Sequence, residues 1–306
     1  MVSSVSPVSV ADIGESAFYK CTSLESITIP NSVIHIGKEA FKNCLSLVII
    51  SIGNSVTKIE KYTFQKCSKL TSINLPDSIT TIGQGAFEQC TSLASITIPD
   101  AVTTIGENAF WGCSKLTSIN LPDAVTAIGL GAFNYCSSLE SLVIPSSVTR
   151  IRRAVFEGCK SLASITIPDS VAAIGESAFK NCLSLASIAW PRGEILIRKN
   201  VFMGCRSLTS ITIPDSVTEI GNKAFQECTS LASIAIPDSV AYIGESAFFG
   251  CTSLASVNLG AVRHLHEGAF LGCTLLASIT IPDSVTTIGE KAFNECSELA
   301  SITIPN

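Results

Sequence analysis

The amino-acid sequence predicts a β-rich solenoid of short repeated coils, and two observations support this fold class. Phenylalanine recurs at a constant spacing of 23 residues, shortened once to 22 between Phe248 and Phe270, and a cysteine stands three residues after each of these phenylalanines. A fixed period of this length is typical of one supersecondary unit stacked on copies of itself, because a single unit cannot bury its apolar side alone. The phenylalanines are Phe18, Phe41, Phe64, Phe87, Phe110, Phe133, Phe156, Phe179, Phe202, Phe225, Phe248, Phe270 and Phe293.

Each coil is predicted to begin with a half-buried strand. Residues 93–98 alternate apolar and small polar side chains with the period of a strand. Ile96 is therefore expected to face the core, and its neighbours Ser95 and Thr97 the solvent. A Pro-Asp pair follows and ends the strand, because proline has no N–H for a ladder and an aspartate side chain can cap the turn.

The rest of the coil is predicted to form a second short strand and a helical turn. Residues 102–105 are the second extended piece, and Gly106 permits the next bend. The segment ENAFWGC, residues 107–113, offers one helical turn that directs Phe110 and Cys113 inward. We therefore expect each 23-residue coil to contain a strand, a second short strand and a one-turn helix.

These motifs resemble the BspA-like, or Treponema-type, leucine-rich repeats. The Ile-x-Ile-Pro strand, the Val-x-x-Ile-Gly piece and the Ala-Phe-x-x-Cys turn recur in register along essentially the whole chain. The resemblance implies a right-handed, curved leucine-rich repeat solenoid of about 13 repeats, forming a single domain over residues 1–306 with no evident capping domains. It also implies a protein that binds host proteins, extracellular matrix or other cells and does not catalyse. The departures from the pattern are Gly53 and Gly260 in place of proline, and Glu60, Arg152, Arg198 and His266 in place of glycine.

Composition argues against several classes of function. Hydrophobic residues make up 46% of the chain and charged residues 15%, yet no apolar run approaches the roughly 18–20 residues of a membrane span, so no membrane insertion is expected. The net charge of −5 argues against nucleic-acid binding, which needs a basic footprint. Residues 1–10 are interpreted as a degenerate first coil and not as a signal peptide.

The thirteen cysteines form the most reactive column of the sequence. Stacked coils place successive cysteines at about the 4.8 Å spacing of neighbouring strands, which a disulfide can bridge. The odd count, the lack of Cys-x-x-Cys pairs and the position beside Ala-Phe favour buried free thiols, with occasional disulfides as the alternative. A reduced column suits the cytoplasm, whereas the family resemblance implies the cell surface or secretion, so the compartment stays open.

No catalytic or metal-binding constellation stands out from the repeat consensus. His264 and His266 are expected on one side of an extended piece, but no third ligand accompanies them. A row of aspartates is interpreted as turn caps and not as a calcium site. Because no serine stands apart from the consensus, no nucleophilic triad is expected, and we expect no enzyme activity, cofactor or metal. The aspartates are Asp77, Asp100, Asp123, Asp169, Asp215, Asp238 and Asp283.

The outward columns of the strands form one candidate binding surface, here called the strand face. Nearly all of their side chains are small and none is charged, which suits a large flat or polymeric partner. The residues that carry this hypothesis are Ser95, Thr97, Ser118, Asn120, Ser164, Thr166, Ser210 and Thr212.

A second candidate is a basic patch on this acidic chain. Two units lying two coils apart, about 10 Å at strand spacing, carry cations suited to a sulfated or sialylated glycan or an acidic partner. A solvated variable face is the alternative interpretation. The patch comprises Arg150, Arg152, Arg153, Arg192, Arg198, Lys199 and Arg206.

Four aromatic residues follow the phenylalanine column, and they are interpreted as scattered side chains that pack partly against the surface and not as a binding site. They are Tyr19, Trp111, Tyr135 and Phe249.

These observations predict a non-catalytic adhesion or protein-interaction scaffold that binds a host, matrix or cell-surface protein or glycan through an extended solenoid face. The competing hypothesis is a structural or self-assembling module. Met1 occupies the leucine column and Pro305 follows a last strand with no polar cap, so we expect either end-to-end association or continuation into a longer chain.

Overall fold

The computed structural model describes residues 9–193 and 196–305, and it confirms a solenoid of stacked β coils. Met1 lies outside the described residues, and the handedness and curvature of the solenoid stay predictions. The three-residue strands are Ser26–Thr28, Ile49–Ser51, Ser72–Asn74, Ser95–Thr97, Ser187–Ala189, Ser210–Thr212, Ser233–Ala235, Ser256–Asn258, Ser278–Thr280 and Ser301–Thr303. The two-residue strands are Asp12–Ile13, His35–Ile36, Lys58–Ile59, Thr81–Ile82, Thr104–Ile105, Ala127–Ile128, Arg150–Ile151, Ala173–Ile174, Leu196–Ile197, Glu219–Ile220, Tyr242–Ile243, His264–Leu265 and Thr287–Ile288.

Strands of neighbouring coils pair in parallel and in register, so each coil contributes to two ladders. Ser72–Asn74 pairs residue for residue with Ser95–Thr97, and Thr81–Ile82 pairs with Thr104–Ile105. Around residues 118–166 the longer strands reduce to single parallel bridges, such as the bridge from Thr97 to Asn120. Because the period of the pairing equals the period of the sequence, equivalent side chains form straight rows along the solenoid.

The core is a column of stacked phenylalanine rings. Consecutive rings from Phe18 to Phe293 have centroids 5.1 to 5.8 Å apart and planes within 20° of parallel. The rings from Phe41 to Phe270 are fully buried, and the rings of Phe18 and Phe293 are partly buried. Isoleucine, leucine and valine columns surround the rings, so each interior coil buries apolar surface against both neighbours.

The prediction of a one-turn helix in each coil is wrong. The described residues contain no helix, and tight turns precede each cysteine. The amides of Glu39 and Phe41 donate to carbonyls of the next coil at 3.0 and 2.9 Å, whereas the amide of Lys42 donates to Glu39, three residues back. An α-helix requires each amide to bond to the carbonyl four residues back, so a segment that commits alternate amides to a neighbouring coil cannot form one.

Left-handed backbone conformations build these turns. The residues two before and two after each core phenylalanine have φ between 51° and 74°, and many of them are not glycine. The left-handed region costs a non-glycine residue about 1–2 kcal/mol. Except in the last described coil, the amides of these residues donate hydrogen bonds to the next coil. The amide of Lys66 donates to the backbone carbonyl of Glu88 at 2.7 Å, and the amide of Tyr135 donates to the backbone carbonyl of Glu157 at 2.7 Å. Neighbouring coils therefore hold a conformation that the isolated segment would avoid.

Two glycines show how closely the coils approach each other. Gly106 does not adopt a positive φ, so it is needed for space and not for the predicted bend: a Cβ there would lie 2.5 Å from the amide nitrogen of Gln84. Gly260, in the one shortened repeat, has a φ of +55°, and a Cβ there would lie 2.6 Å from the carbonyl oxygen of Ile236. The turn that follows Ser256–Asn258 therefore absorbs the missing residue.

Serine, and not aspartate, ties the Pro-Asp-Ser turn to its neighbour. The Ser170 hydroxyl donates to the carbonyl of Val148 in the preceding coil at 2.9 Å, and the amide of Val171 closes the turn by donating to Pro168 at 3.0 Å. The predicted aspartate caps are not observed, because the carboxylate of Asp169 and its equivalents are exposed and make no hydrogen bond within the part of the chain described.

The burial pattern predicts opposite effects for two adjacent residues. Ile165 is 6% exposed, whereas Thr166 is exposed. We expect Ile165→Asp to lower the free energy of unfolding by about 3 kcal/mol or more, because it buries an unpaired charge. Thr166→Asp, the control, should change it by less than about 0.5 kcal/mol. Urea unfolding followed by circular dichroism measures both, and equal losses would contradict the inward and outward assignment.

The left-handed positions predict a stabilising substitution. Lys66 has a φ of 63° and is exposed, so Lys66→Gly should raise the free energy of unfolding by about 0.5–1 kcal/mol by relieving the cost of that conformation. Lys69, three residues further on, has no positive φ, so Lys69→Gly should lower the free energy of unfolding by about 0.5–1 kcal/mol. The same denaturation experiment compares the two variants. Equal effects at both positions would count against a left-handed strain at Lys66.

Candidate binding surfaces

The strand face lies on the surface as predicted. All eight of its residues are exposed, and the pairing places them in two rows, with Asn74 beside Thr97 and Thr97 beside Asn120. Their side chains make no hydrogen bond to any other described residue. Exposed apolar side chains interrupt the rows, among them Val143, which is 69% exposed and pairs with Thr166. The surface therefore offers unengaged hydroxyl and amide groups at regular spacing, with no charged side chain among the eight.

A depression beside Trp190 interrupts the strand face. Its volume is about 480 Å³, and Trp190, Arg192, Ser210 and Thr212 contribute to its lining. Trp190 replaces an isoleucine of the repeat, and its buried ring meets Phe202 edge-on with centroids 5.5 Å apart. The indole Nε1 of Trp190 is buried and has no hydrogen-bond partner among the described residues. A cation, Arg192, thus adjoins the otherwise uncharged strand face.

The structure places five of the seven cations of the basic patch on the side of the two-residue strands, and it places Arg192 and Arg206 elsewhere. Arg192 lies in the turn beside the strand face, whereas Arg150 and Arg152 lie in or directly after the two-residue strand Arg150–Ile151. Arg152 contributes to a separate depression of about 260 Å³, together with Glu107. The seven cations are exposed except for Arg198, which is half-buried.

Carboxylates alternate with the cations on the side of the two-residue strands. Glu176 belongs to the coil between Arg153 and Lys199, and it lines a depression of about 330 Å³ with Lys199, Arg198 and Glu219. Arg206 likewise forms an ion pair with a glutamate, Glu227, at 3.2 Å. Nearby negative charge therefore offsets part of the positive field on which the basic-patch hypothesis depends.

The two neighbouring histidines face the same side, as the alternation predicts. Leu265 between them is buried, and the rings of His264 and His266 have centroids 6.1 Å apart. The Nδ1 atom of His264 lies 2.6 Å from the hydroxyl of Thr287, and the ring of His266 contacts that of Tyr242 with centroids 4.5 Å apart. Within residues 9–193 and 196–305, no three histidine, cysteine or acidic side chains form a metal-binding group.

The cysteine column consists of free thiols, as the sequence favours, and nearly all of them are buried. Each Sγ from Cys44 to Cys296 donates a hydrogen bond to the carbonyl of a phenylalanine in the preceding coil; for Cys205 and Phe179 the distance is 3.1 Å. The cysteine side chain is small and apolar, and its thiol also donates a hydrogen bond. This combination explains why cysteine, and not alanine or valine, occupies the column. Burial raises the pKa of Cys205 and of Cys251 to about 12, so these thiols are poor nucleophiles.

The structure joins two aromatic residues that the sequence analysis interpreted as scattered. Trp111 and Tyr135 lie on neighbouring coils with ring centroids 6.1 Å apart and planes at 84°. They line a depression of about 430 Å³ to which Lys160 also contributes. The repeat pattern does not predict this pair, because the two residues occupy different columns. Trp111 stands one residue after Phe110, whereas Tyr135 stands two residues after Phe133.

Parallel in-register coils around a column of apolar side chains define a leucine-rich repeat solenoid, a class of generally non-catalytic scaffolds for protein interaction. The described part of the chain has no helix with the length and apolarity needed to cross a membrane. The chain belongs to the BspA-type leucine-rich repeat family: the pattern described as "BspA type Leucine rich repeat region (6 copies)" matches residues 1–117, 83–196 and 195–306.

Solved structures of bacterial proteins agree with this family. A leucine-rich repeat protein from Bacteroides ovatus is 32% identical with a TM-score of 0.67, and the match covers 96% of this chain and 82% of that one. A leucine rich cell surface protein from Faecalibacterium prausnitzii is 33% identical with a TM-score of 0.53, over 81% of this chain and 83% of that one. None of the curated proteins compared with the chain matches it significantly.

The thiol column predicts a steep loss of stability in alkali. Unfolded thiols lose their protons from about pH 8.5, whereas Cys205 stays protonated in the folded state up to its raised pKa of about 12. The stabilisation is complete below the unfolded pKa and is lost as the pH rises toward the folded pKa. We expect the free energy of unfolding to fall above about pH 9 by roughly 1 kcal/mol per pH unit for each buried thiol.

Denaturant unfolding at a series of pH values measures this slope. Cys205→Ala should reduce the slope by the share of one thiol. Val201→Ala, the control, truncates another fully buried side chain of the same coil and should leave the slope unchanged. A pH-independent free energy of unfolding across the alkaline range would contradict the role of the thiols.

Proposed function

We propose that this chain is a non-catalytic adhesion scaffold at the cell surface, which binds a protein or glycan through the strand face. The observation that carries the proposal is the pair of exposed rows whose small polar side chains have no hydrogen-bond partner among the described residues. Membership of a family of interaction scaffolds supports it. The similarity to a leucine rich cell surface protein of Faecalibacterium prausnitzii supports the location.

The geometry of the strand face suits an extended partner. Rows of hydroxyl groups at the strand spacing of about 4.8 Å offer many weak contacts along the axis of the solenoid. Small side chains also let the partner approach the backbone closely. At the depression that holds Trp190 and Arg192, a partner could insert a projecting group beside a cation. A polymer or a flat protein surface fits such an array better than a small molecule does.

The basic patch is the weaker candidate surface, because its cations lie on two sides of the coil and Glu176 stands between two of them. A surface of mixed charge attracts a polyanion less strongly than a continuous row of arginines would.

Self-assembly is the competing proposal. Sedimentation equilibrium separates the proposals, because a mass that grows with concentration without any ligand indicates assembly, whereas binding by a monomer indicates adhesion.

The strand-face proposal predicts binding that depends little on salt. The purified chain is screened against immobilised extracellular-matrix proteins and a glycan array, and the captured partner is then titrated between about 20 and about 500 mM salt, which shortens the Debye length from roughly 20 Å to 4 Å. Uncharged contacts should leave the affinity nearly constant. Thr166→Arg combined with Thr212→Arg should abolish binding by placing bulk and charge at two points of the row that contains Thr97 and Asn120.

The matched control combines Arg152→Glu with Arg198→Glu, which changes the charge on the other side of the coil and should leave strand-face binding intact. If the glutamate pair abolishes binding while the arginine pair does not, the partner binds the basic patch, and the strand-face proposal is wrong. Failure to capture any partner in either screen, together with a growing mass, would favour self-assembly.

A further inference from the structure

We propose that the depression between Trp111 and Tyr135 is a binding site for an acidic sugar. This acidic-sugar site consists of Trp111, Tyr135, Lys160 and a row of hydroxyl groups, and it occupies the turns around the cysteine column. None of its residues belongs to the strand face or to the basic patch. The inference therefore stands independently of the proposed function.

Two aromatic rings form an open corner at this site. The planes of Trp111 and Tyr135 meet at 84°, with centroids 6.1 Å apart, and Tyr135 is 45% exposed. Neither the indole N–H of Trp111 nor the hydroxyl of Tyr135 makes a hydrogen bond to another described residue. Aromatic side chains of this kind combine an apolar face with a polar group at the edge. The corner can thus hold the C–H face of a sugar ring while its two polar groups bind hydroxyls.

The neighbouring coil keeps the tyrosine ring in place. Tyr135 has a φ of 57°, and a Cβ on Gly158 in the next coil would lie 2.7 Å from Cδ1 of the Tyr135 ring. A side chain at position 158 would therefore displace the ring from its place in the corner. The glycine allows the ring to lie against the next coil, so the corner is preformed.

A row of hydroxyl groups along the depression supplies hydrogen-bond acceptors. The hydroxyls of Thr91, Ser114 and Ser137 each donate to a backbone carbonyl of the preceding coil at 3.3–3.4 Å. Their protons are thereby committed, whereas each oxygen retains lone pairs that can accept a further hydrogen bond. Three acceptors in a row at the coil spacing favour a ligand with several hydroxyl donors, which is the chemistry of a saccharide.

Lys160 specifies the charge of the ligand. It is exposed, it forms no ion pair within the described residues, and it is the only charged side chain among those that line the depression. A cationic ligand would be repelled, so the aromatic corner does not suit a quaternary ammonium group despite its geometry. A carboxylate or a sulfate on the sugar would pair with the ammonium group.

Fluorescence titration tests the site in the full chain. Trp111 and Trp190 are the two tryptophans of the sequence, so Trp190→Phe leaves Trp111 as the reporter. The probes are 3′-sialyllactose with a carboxylate, 3′-sulfolactose with a sulfate, and neutral lactose. We expect one or both acidic probes to change the Trp111 emission saturably, with an affinity about tenfold above that for lactose. The acidic probe that binds more tightly identifies the anionic group.

Two pairs of variants assign the binding to these residues, and isothermal titration on the chain with both tryptophans measures them. Lys160→Gln should lower the affinity for the acidic probes to that for lactose, whereas Lys115→Gln, at an exposed lysine outside the depression, should not. Tyr135→Gly should lower the affinity about tenfold, and its left-handed φ makes glycine acceptable to the fold. Lys66→Gly, at an equivalent left-handed position outside the site, is the control.

Three results would overturn the proposal. They are the absence of saturable binding for all three saccharides up to about 10 mM, equal affinity for lactose and the acidic probes, and acidic-probe binding that survives both Lys160→Gln and Tyr135→Gly.

Discussion

The hydrogen bond that each core phenylalanine amide donates to the next coil is the interaction on which the rest of the structure depends. The amide of Phe87, for example, donates to the carbonyl of Ala109 at 2.8 Å. This bond sets the distance between coils at which the rings stack and the cysteine thiol reaches a carbonyl. It also requires the left-handed residues on either side, so backbone conformation, core packing and the thiol column are consequences of one contact between coils.

Local pattern is enough to predict the strands but not the turns. The alternation around Ile96 predicts which side chains are buried, because a strand has only two faces. The segment that contains Phe110 has a sequence compatible with a helical turn, and what excludes the helix is a hydrogen bond to Ala132 in the next coil. No short-range pattern encodes that partner. The glycines and asparagines that recur two residues before or after the phenylalanines, such as Gly112 and Asn181, are the one available signal.

The candidate surfaces also differ in whether the repeat pattern of the sequence can predict them. The strand face is predictable because its residues occupy equivalent columns, and columns become rows when coils stack in register. The basic patch cannot be predicted in this way. Arg192 lies in the turn beside the strand face and Arg206 follows Cys205, whereas the other cations lie in or directly after the two-residue strands, and this separation depends on the path of the coil. The contact of Trp111 with Tyr135 joins two different columns, so it depends on side-chain direction in left-handed turns, which a repeat alignment does not contain.

The shortened repeat shows that chain length can vary without disturbing the stack. The rings on either side of the deletion, Phe248 and Phe270, are 5.2 Å apart with planes 2° from parallel, as regular as any pair in the column. The length of the turn at Gly260 therefore does not affect the stacking of the core rings. Because residues can be gained or lost at this turn without disturbing the phenylalanine column, it is a natural position for grafting a loop that carries a new specificity.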